Sequence, residues 1–332
     1  MKAVVATKPG APFELVERDI PEPGAGEILI KVAACGICRG DAATKDARHG
    51  IVLPRVPGHE VAGTVARLGT GITKFTLGQR VGVGWRAGGC GKCDACRAGN
   101  FNACRNQGTT GQTVDGGYAE YMVAREEAVV SMPDGISLAD AAPLLCAGRT
   151  TFSGLRNGGA AKGDLVAVHG IGGLGHLAIQ YAARMGCRVA VLSRGTEKEA
   201  LARSLGAEFY IDTRGGDGAA QLKALGGARL LLCTAPNPKE ASSLIGGIAR
   251  NGRMVVVGSA EEPLEIPIQA LIGGGIVVSG AGWTSIDDAL RFSSDNGVKP
   301  MIETFPLAQA ATAFDKMMNS TVHFRAVLTM GA

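Results

Sequence analysis

Two periodicities divide the chain. Up to about residue 135, short runs rich in β-branched and apolar residues are separated by glycine and proline. Examples are 27–32 (Glu-Ile-Leu-Ile-Lys-Val), 61–65 (Val-Ala-Gly-Thr-Val) and 118–123 (Tyr-Ala-Glu-Tyr-Met-Val). Runs of this kind bounded by turn formers predict the strands of an irregular, β-rich, loop-carrying domain. From about Ser137 alanine-rich helical spacing takes over, and apolar runs at 165–168, 188–192, 230–233 and 254–257 alternate with helical stretches such as 174–185 and 198–205. Continuous apolar strands alternating with helices predict a parallel α/β sheet covered on both faces. The pattern fades from about Asp287, and a strand-like run at 324–329 (Phe-Arg-Ala-Val-Leu-Thr) is expected to return and complete the first domain. The predicted organisation is therefore 1–147 with 287–332 as one domain and 148–286 as the other. A length of 332 residues, long for a single core, agrees with two domains.

Composition narrows the class. Hydrophobic residues make up 46% and charged ones 19%, ordinary for a soluble globular enzyme. The 50 glycines, about twice average usage, are dispersed, so they mark tight turns and close backbone approaches. A net charge of +4, spread along the chain, argues against nucleic acid as a partner. No stretch reaches the ~18 consecutive apolar residues that span a bilayer, so no membrane partner is expected. The first ten residues read as a strand and turn rather than a leader. Nine cysteines, an odd number in a metal-like arrangement, point to the reducing cytoplasm.

Four of those cysteines share one loop: Cys90-Gly-Lys-Cys93-Asp-Ala-Cys96-Arg-Ala-Gly-Asn-Phe-Asn-Ala-Cys104. Spacings of two, two and seven residues let such a loop fold back and present four thiolates tetrahedrally, at about 2.3 Å from one structural zinc. A disulfide or reactive-thiol loop and an iron–sulfur cluster are the competing readings of the same spacing.

Gly170-Ile-Gly172-Gly173-Leu-Gly175 follows the predicted strand at 165–168 and opens a helix. In that context the glycines supply a tight turn, close approach to a pyrophosphate and tight helix–strand packing, and the helix N-terminus faces the phosphates. The motif therefore predicts a bound dinucleotide. An acidic residue at the end of the next strand would hydrogen-bond the adenosine ribose hydroxyls. The chain has Ser193-Arg194-Gly195-Thr196 with Lys198 behind, a set that suits a 2′-phosphate and predicts NADP(H), with NAD(H) possible if Arg194 only stacks on adenine.

Three further fragments carry metal-ligand chemistry: Cys35-Gly-Ile-Cys38-Arg-Gly-Asp41, Gly58-His59-Glu60, and Cys146 in Leu144-Leu-Cys146-Ala-Gly. Each alone is also compatible with a packed histidine or a small buried cysteine. In their order, together with Pro57-Gly-His59-Glu60, the four-cysteine loop and the glycine motif, the whole chain resembles the zinc-dependent alcohol dehydrogenases of the medium-chain dehydrogenase/reductase family, in the bacterial, yeast and cinnamyl-alcohol-like branch. The resemblance implies a Rossmann-type doubly wound sheet plus a GroES-like catalytic domain, and two zincs per chain. It implies a catalytic zinc on Cys38, His59 and Cys146, with Glu60 beside the ion and Asp41 orienting the histidine. It implies Arg39 and Arg325 on the cofactor pyrophosphate, Thr150 behind the nicotinamide, and Trp85 and Trp283 lining the substrate pocket. It also implies a homo-oligomer, dimer or tetramer, joined through the apolar strand at 276–279.

The activity so implied is hydride transfer between NADP(H) and a small primary alcohol or aldehyde, with the metal as Lewis acid. The chain departs from the family at two places. Gly40 stands where a relay Ser or Thr is usual, and Ala43 where many members have His. Water, His49 or Glu60 are the candidate replacements. Related reductases without this relay act on iminium ions or conjugated C=C bonds, which is the alternative reading; a non-catalytic zinc- and nucleotide-binding sensor is the third. Arg149, where relatives often have an aliphatic residue, has no explanation at this level.

Overall fold

The computed structural model describes residues 1–331 (the side chain of Asn102 apart), so Ala332, the last residue of the expected first domain, lies outside the described residues. The chain forms two compact units, one comprising residues 1–146 and the stretch from Pro300, the other Ala147–Lys299. The second boundary falls later than the fading of the α/β pattern suggests. The helix Ile286–Asn296 belongs to the second unit because it buries Ala289 and Leu290 there, and Phe292 packs on Phe152 at 5.3 Å and Tyr181 at 5.9 Å.

In chain order the first unit contributes β1 (Lys2–Val5), β2 (Glu14–Glu17), β3 (Glu27–Gly36), β4 (Val61–Leu68), β5 (Arg80–Val83), β6 (Tyr121–Arg125) and β7 (Val129–Ser131). The second contributes β8 (Leu165–His169), β9 (Arg188–Ser193), β10 (Phe209–Asp212), β11 (Ala228–Cys233), β12 (Ile248–Val256) and β13 (Val277–Gly280). The chain then returns with β14 (Ile302–Pro306) and β15 (Arg325–Thr329).

β1 and β2 form an antiparallel pair, and the remaining strands of the first unit form one sheet ordered β14-β15-β3-β4-β5-β7, with β6 also on β3. β3 is the organising strand. Its alternate residues Ile28, Ile30 and Val32 enter a core shared with Val61, Val65, Val81, Val83 and Tyr118, each such side chain stabilising by roughly 1.5–3 kcal/mol. The run expected at 118–123 begins its ladder only at Tyr121. Tyr118 sits ahead of the strand, where its N–H donates to Pro57 O at 3.0 Å and its hydroxyl turns to Asp41.

The six strands of the second unit are all parallel, in the order β10-β9-β8-β11-β12-β13. Numbered within the unit this is 3-2-1-4-5-6, the doubly wound order whose ligand crevice opens where the direction reverses, at the carboxyl ends of β8 and β11. Val166, Ala167 and Val168 of β8 and Leu230, Leu231 and Leu232 of β11 are fully buried, as central strands covered on both faces must be. Among the described residues no helix is long and apolar enough to cross a membrane.

Candidate active site

β3 ends at Gly36, and Cys38 caps a single 3-10 turn, Arg39–Asp41. The turn is closed from both ends: Gly40 N–H donates to Cys38 Sγ (3.5 Å) and Cys38 N–H donates to Asp41 Oδ2 (2.9 Å). His59 and Glu60 lead into β4, whose pairing of Val61 with Cys35 carries both side chains to the end of β3. Gly58 approaches at φ +99, where a Cβ would collide with the Tyr118 ring and lie 2.8 Å from Cys35 Sγ. Gly36 is equally constrained, since a Cβ there would overlap the Glu60 carboxylate. Cys146 comes from a wide π-type turn, Leu144–Gly148, of the kind that re-aims side chains at functional sites.

The ligand atoms of Cys38, His59, Glu60 and Cys146 all lie within 4.8 Å of one another, and the two sulfurs are 4.0 Å apart. His59 Nδ1 pairs with Asp41 Oδ1 at 2.9 Å, while its buried Nε2 has no hydrogen-bond partner. A buried nitrogen left so, beside two sulfurs, is what a metal ligand looks like, and two thiolates plus one imidazole form a donor set suited to zinc. The hydrogen bond between the sulfurs holds the Cys38 thiol well below its usual range and Cys146 well above it.

Asp41 is itself held from three sides, by His59, by the Cys38 N–H and by the Tyr118 hydroxyl at 2.9 Å. Tyr118 escapes sequence reasoning because a tyrosine at the head of a strand-like run reads as core. Glu60 accepts twice from Arg325 Nη2, at 2.6 and 2.7 Å, and the same nitrogen donates to Ile37 O at 3.1 Å. Burial pushes the Glu60 carboxyl up to about 7 against the pull of Arg325. Arg325 is thus 5% exposed and committed to Glu60, whereas Arg39 stands exposed on its turn.

Trp85, just after β5, packs on His59 in a T-shaped pair, with centroids 4.6 Å apart at 83°. A Cβ on Gly40 would lie 2.8 Å from Trp85 Cζ3 and 3.2 Å from His59 Cε1, so the tryptophan ring occupies the space a relay side chain would need. His49 is exposed, at φ +56 in the turn Arg48–Gly50.

The second cluster is equally compact: the sulfurs of Cys90, Cys93, Cys96 and Cys104 lie within 4.8 Å of one another. Gly91 and Gly99 turn the loop at φ +70 and +73, and Cys93 caps the short helix Asp94–Arg97. Backbone donors at Lys92 and Cys93 bring Cys90 down to about 6, while burial pushes Cys96 up to about 12.

In the second unit Gly170 leaves β8 at φ +93, with Ala235, two residues past β11, only 2.8 Å from where its Cβ would be. A Cβ on Gly172 would meet nothing within 4 Å, which leaves the space a phosphate needs. Gly175 then opens the helix Gly175–Arg184, with Gly173 in the turn before it. Ser193 ends β9, and the following turn is tied to β10 by Gly195 N–H to Asp212 (2.7 Å) and Tyr210 OH to Gly195 O (2.7 Å). Lys198 reaches back to donate to Ile171 O at 2.9 Å. A pocket of about 450 Å³ beside this turn is lined by Arg194, Arg214 and Lys239, with Asp217, Asn237 and Glu240. Arg214 and Lys239 follow other strands and are invisible to a motif search. A hydrogen bond from His169 holds the Glu240 carboxyl down, at about 2. A separate pocket of about 340 Å³ is lined by Arg149, Thr150, Ser153, Val256, Val257 and Trp283.

Comparison with known proteins agrees with this geometry. Residues 24–134 match the alcohol dehydrogenase GroES-like domain and residues 173–295 the zinc-binding dehydrogenase domain. Alcohol dehydrogenase notN of Aspergillus sp. (strain MF297-2) is 43% identical over 334 residues, 99% of this chain and 98% of that one. Among solved structures, a cinnamyl alcohol dehydrogenase of Sorghum bicolor is 33% identical at a TM-score of 0.87, covering 99% of this chain and 97% of its own. The CAD of Helicobacter pylori, solved with NADP(H), is 27% identical at 0.86 over 99% and 97%. The chain belongs to the zinc-dependent alcohol dehydrogenases of the medium-chain dehydrogenase/reductase family.

Proposed function

We propose that the protein is an NADP(H)-preferring dehydrogenase that interconverts small primary alcohols and aldehydes, with Cys38, His59 and Cys146 holding the catalytic zinc and Cys90, Cys93, Cys96 and Cys104 a second, structural one. The observation that carries the reading is the partnerless, buried His59 Nε2 beside the Cys38 and Cys146 sulfurs. Bound there, zinc supplies Lewis acidity toward a substrate carbonyl oxygen.

The chain's own residues do the rest. Asp41 fixes the tautomer of His59 by taking Nδ1–H, and Tyr118 and the Cys38 N–H fix Asp41. Arg325 neutralises Glu60, so the site offers a metal two thiolates and an imidazole without a third unpaired anion. Trp85 packs on His59 and closes the space beside Gly40, so no side chain at that position relays the proton, and solvent, His49 and Glu60 stay the candidate donors to the product alcohol. The glycine turn and the helix Gly175–Arg184 receive the pyrophosphate. Arg194, Arg214 and Lys239 set three positive charges against the Asp217 and Glu240 carboxylates around a pocket beside Ser193, and this net positive lining supports recognition of a 2′-phosphate. The Helicobacter pylori relative solved with NADP(H) is in keeping with that preference. The open edge strand β13, with Val277 44% exposed, supports assembly as a homo-oligomer.

The test is oxidation of NADPH, with NADH alongside, over an aldehyde panel using zinc-loaded protein and Ser193→Asp. Turnover favouring NADPH in the wild type and shifted toward NADH in the variant is expected from carboxylate–phosphate repulsion. Absence of aldehyde turnover would overturn the proposed reaction, and an unmoved NADPH/NADH ratio the proposed selectivity.

A further inference from the structure

Arg149, which the sequence leaves unexplained, heads the helix Arg149–Asn157. Ser153 and Asn157 follow at intervals of four, so the three side chains share one face of that helix. All three grip a single segment, residues 281–284. Asn157 Nδ2 donates to Ala281 O at 2.8 Å. Ser153 Oγ and Thr284 Oγ1 are 2.5 Å apart, and Thr284 N–H donates to Ser153 Oγ at 3.3 Å. Arg149 Nε donates to Thr284 O at 3.0 Å, and its guanidinium lies 4.2 Å from the centre of the Trp283 ring.

The gripped segment needs this support. It lies outside β13 and ahead of the helix Ile286–Asn296, without a ladder of its own. Gly282 takes φ +64, and a Cβ there would lie 2.8 Å from Asn157 Nδ2, so the backbone is drawn tight onto the helix. Burial is graded along the contact: Ser153 is 1% and Arg149 7% exposed, while the Trp283 ring they hold is 57% exposed. Arg149, Thr150, Ser153 and Trp283 also wall the pocket of about 340 Å³ together with Val256 and Val257, which end and follow β12. The carboxyl ends of parallel strands are where such sheets bind ligands, so this wall faces ligand.

We propose that Arg149 is a positioning residue: with Ser153 and Asn157 it clasps residues 281–284 and fixes Trp283 as a wall of the pocket that receives the reacting end of the cofactor. The role of the pocket rests on the dehydrogenase reading above; the clasp itself does not. Arginine is required rather than any cation, because only a planar guanidinium stacks by its face while donating in its plane through Nε. Lysine keeps the charge and loses that geometry.

The test has two independent arms. In a Trp85→Phe background Trp283 is the sole tryptophan, and its acrylamide quenching and emission report its mobility directly. Arg149→Met, Arg149→Lys and Asn157→Ala are each expected to increase quenching of Trp283. Asn157 is exposed at the far end of the helix, so its variant folds even if a change at buried Arg149 does not. In the protein that keeps Trp85, Arg149→Met and Arg149→Lys are expected to lower kcat/KM for aldehyde by about tenfold to a hundredfold, mainly through kcat, the range a displaced positioning element produces. Unchanged quenching in Arg149→Met and Asn157→Ala would overturn the clasp. Full activity in Arg149→Lys beside a defective Arg149→Met would show that charge, not position, is what Arg149 supplies, and would overturn the positioning role. If the wild type oxidises no NADPH the dehydrogenase reading fails, while the quenching arm still decides the clasp.

Discussion

The Asp41 carboxylate accepts from His59 Nδ1, from the Cys38 N–H and from the Tyr118 hydroxyl, each at 2.9 Å, and it is 2% exposed. A buried carboxylate with three donors is rigid, and through Nδ1 that rigidity fixes the direction of His59 Nε2. Tyr118 is the most remote of the three donors and the easiest to remove cleanly. In Tyr118→Phe the ring stays in the core and only the hydroxyl is lost, so Asp41 keeps two of its partners. A hydrogen bond to a charged group contributes about 1.5–3 kcal/mol, and loss of a support behind a metal-binding histidine typically weakens metal affinity about 10- to 100-fold. Faster loss of activity on treatment with a chelator is therefore expected, with a lowered unfolding midpoint. A variant that resists chelator as the wild type does would show that Tyr118 supports only the core.

At the scale of elements, the cysteine loop and the glycine turn contrast in how they are made. The loop from Cys90 to Cys104 has one short helix, Asp94–Arg97, one 3-10 turn, Phe101–Ala103, and little apolar core of its own beyond Cys96. An element that buries so little must be closed by something other than packing, and the four clustered sulfurs are a donor set that a bound metal would close, as proposed above. Cys96→Ser is expected to lower bound zinc by one per chain, measured by metal analysis, and to reduce the unfolding midpoint while surviving protein still turns over. Unchanged zinc content would refute the structural site. Both elements were readable in advance because their information is local: sulfurs at fixed spacing, and glycines between an apolar strand and a helix. Arg149 and Tyr118 were not, because each bonds a residue far along the chain, and Arg214 and Lys239 come beside Arg194 only when their strands are ordered into one sheet. The same holds for the start of β6, where the strand-like run begins three residues before the ladder because Tyr118 is diverted to Asp41. The second domain boundary slipped likewise, since the packing of Phe292 on Phe152 and Tyr181 overrides the fading strand–helix alternation.

For the molecule as a whole, the apolar runs predicted a parallel sheet but could not order it. The order β10-β9-β8-β11-β12-β13 emerges only in the structure, and it leaves β13 with one side unpaired. That edge is short, but it is not protected in the usual ways. It carries Val277 at 44% exposure, and the preceding helix Ile268–Ile272 exposes Ile268 at 68% and Ile272 at 73%. Soluble chains blunt such edges with lysine, proline or a bulge, and β13 (Val-Val-Ser-Gly) has none of these. A second copy of the chain could satisfy the free backbone groups by strand pairing across a two-fold axis and would cover the same apolar side chains. Val277→Lys places a charge on the edge without touching either cysteine cluster or the glycine turn. Sedimentation analysis is expected to show an oligomer for the wild type and a smaller species for the variant, with zinc content unchanged. An oligomer that survives the lysine would place the interface elsewhere on the surface, and a monomeric wild type would mean that β13 ends the sheet unpaired.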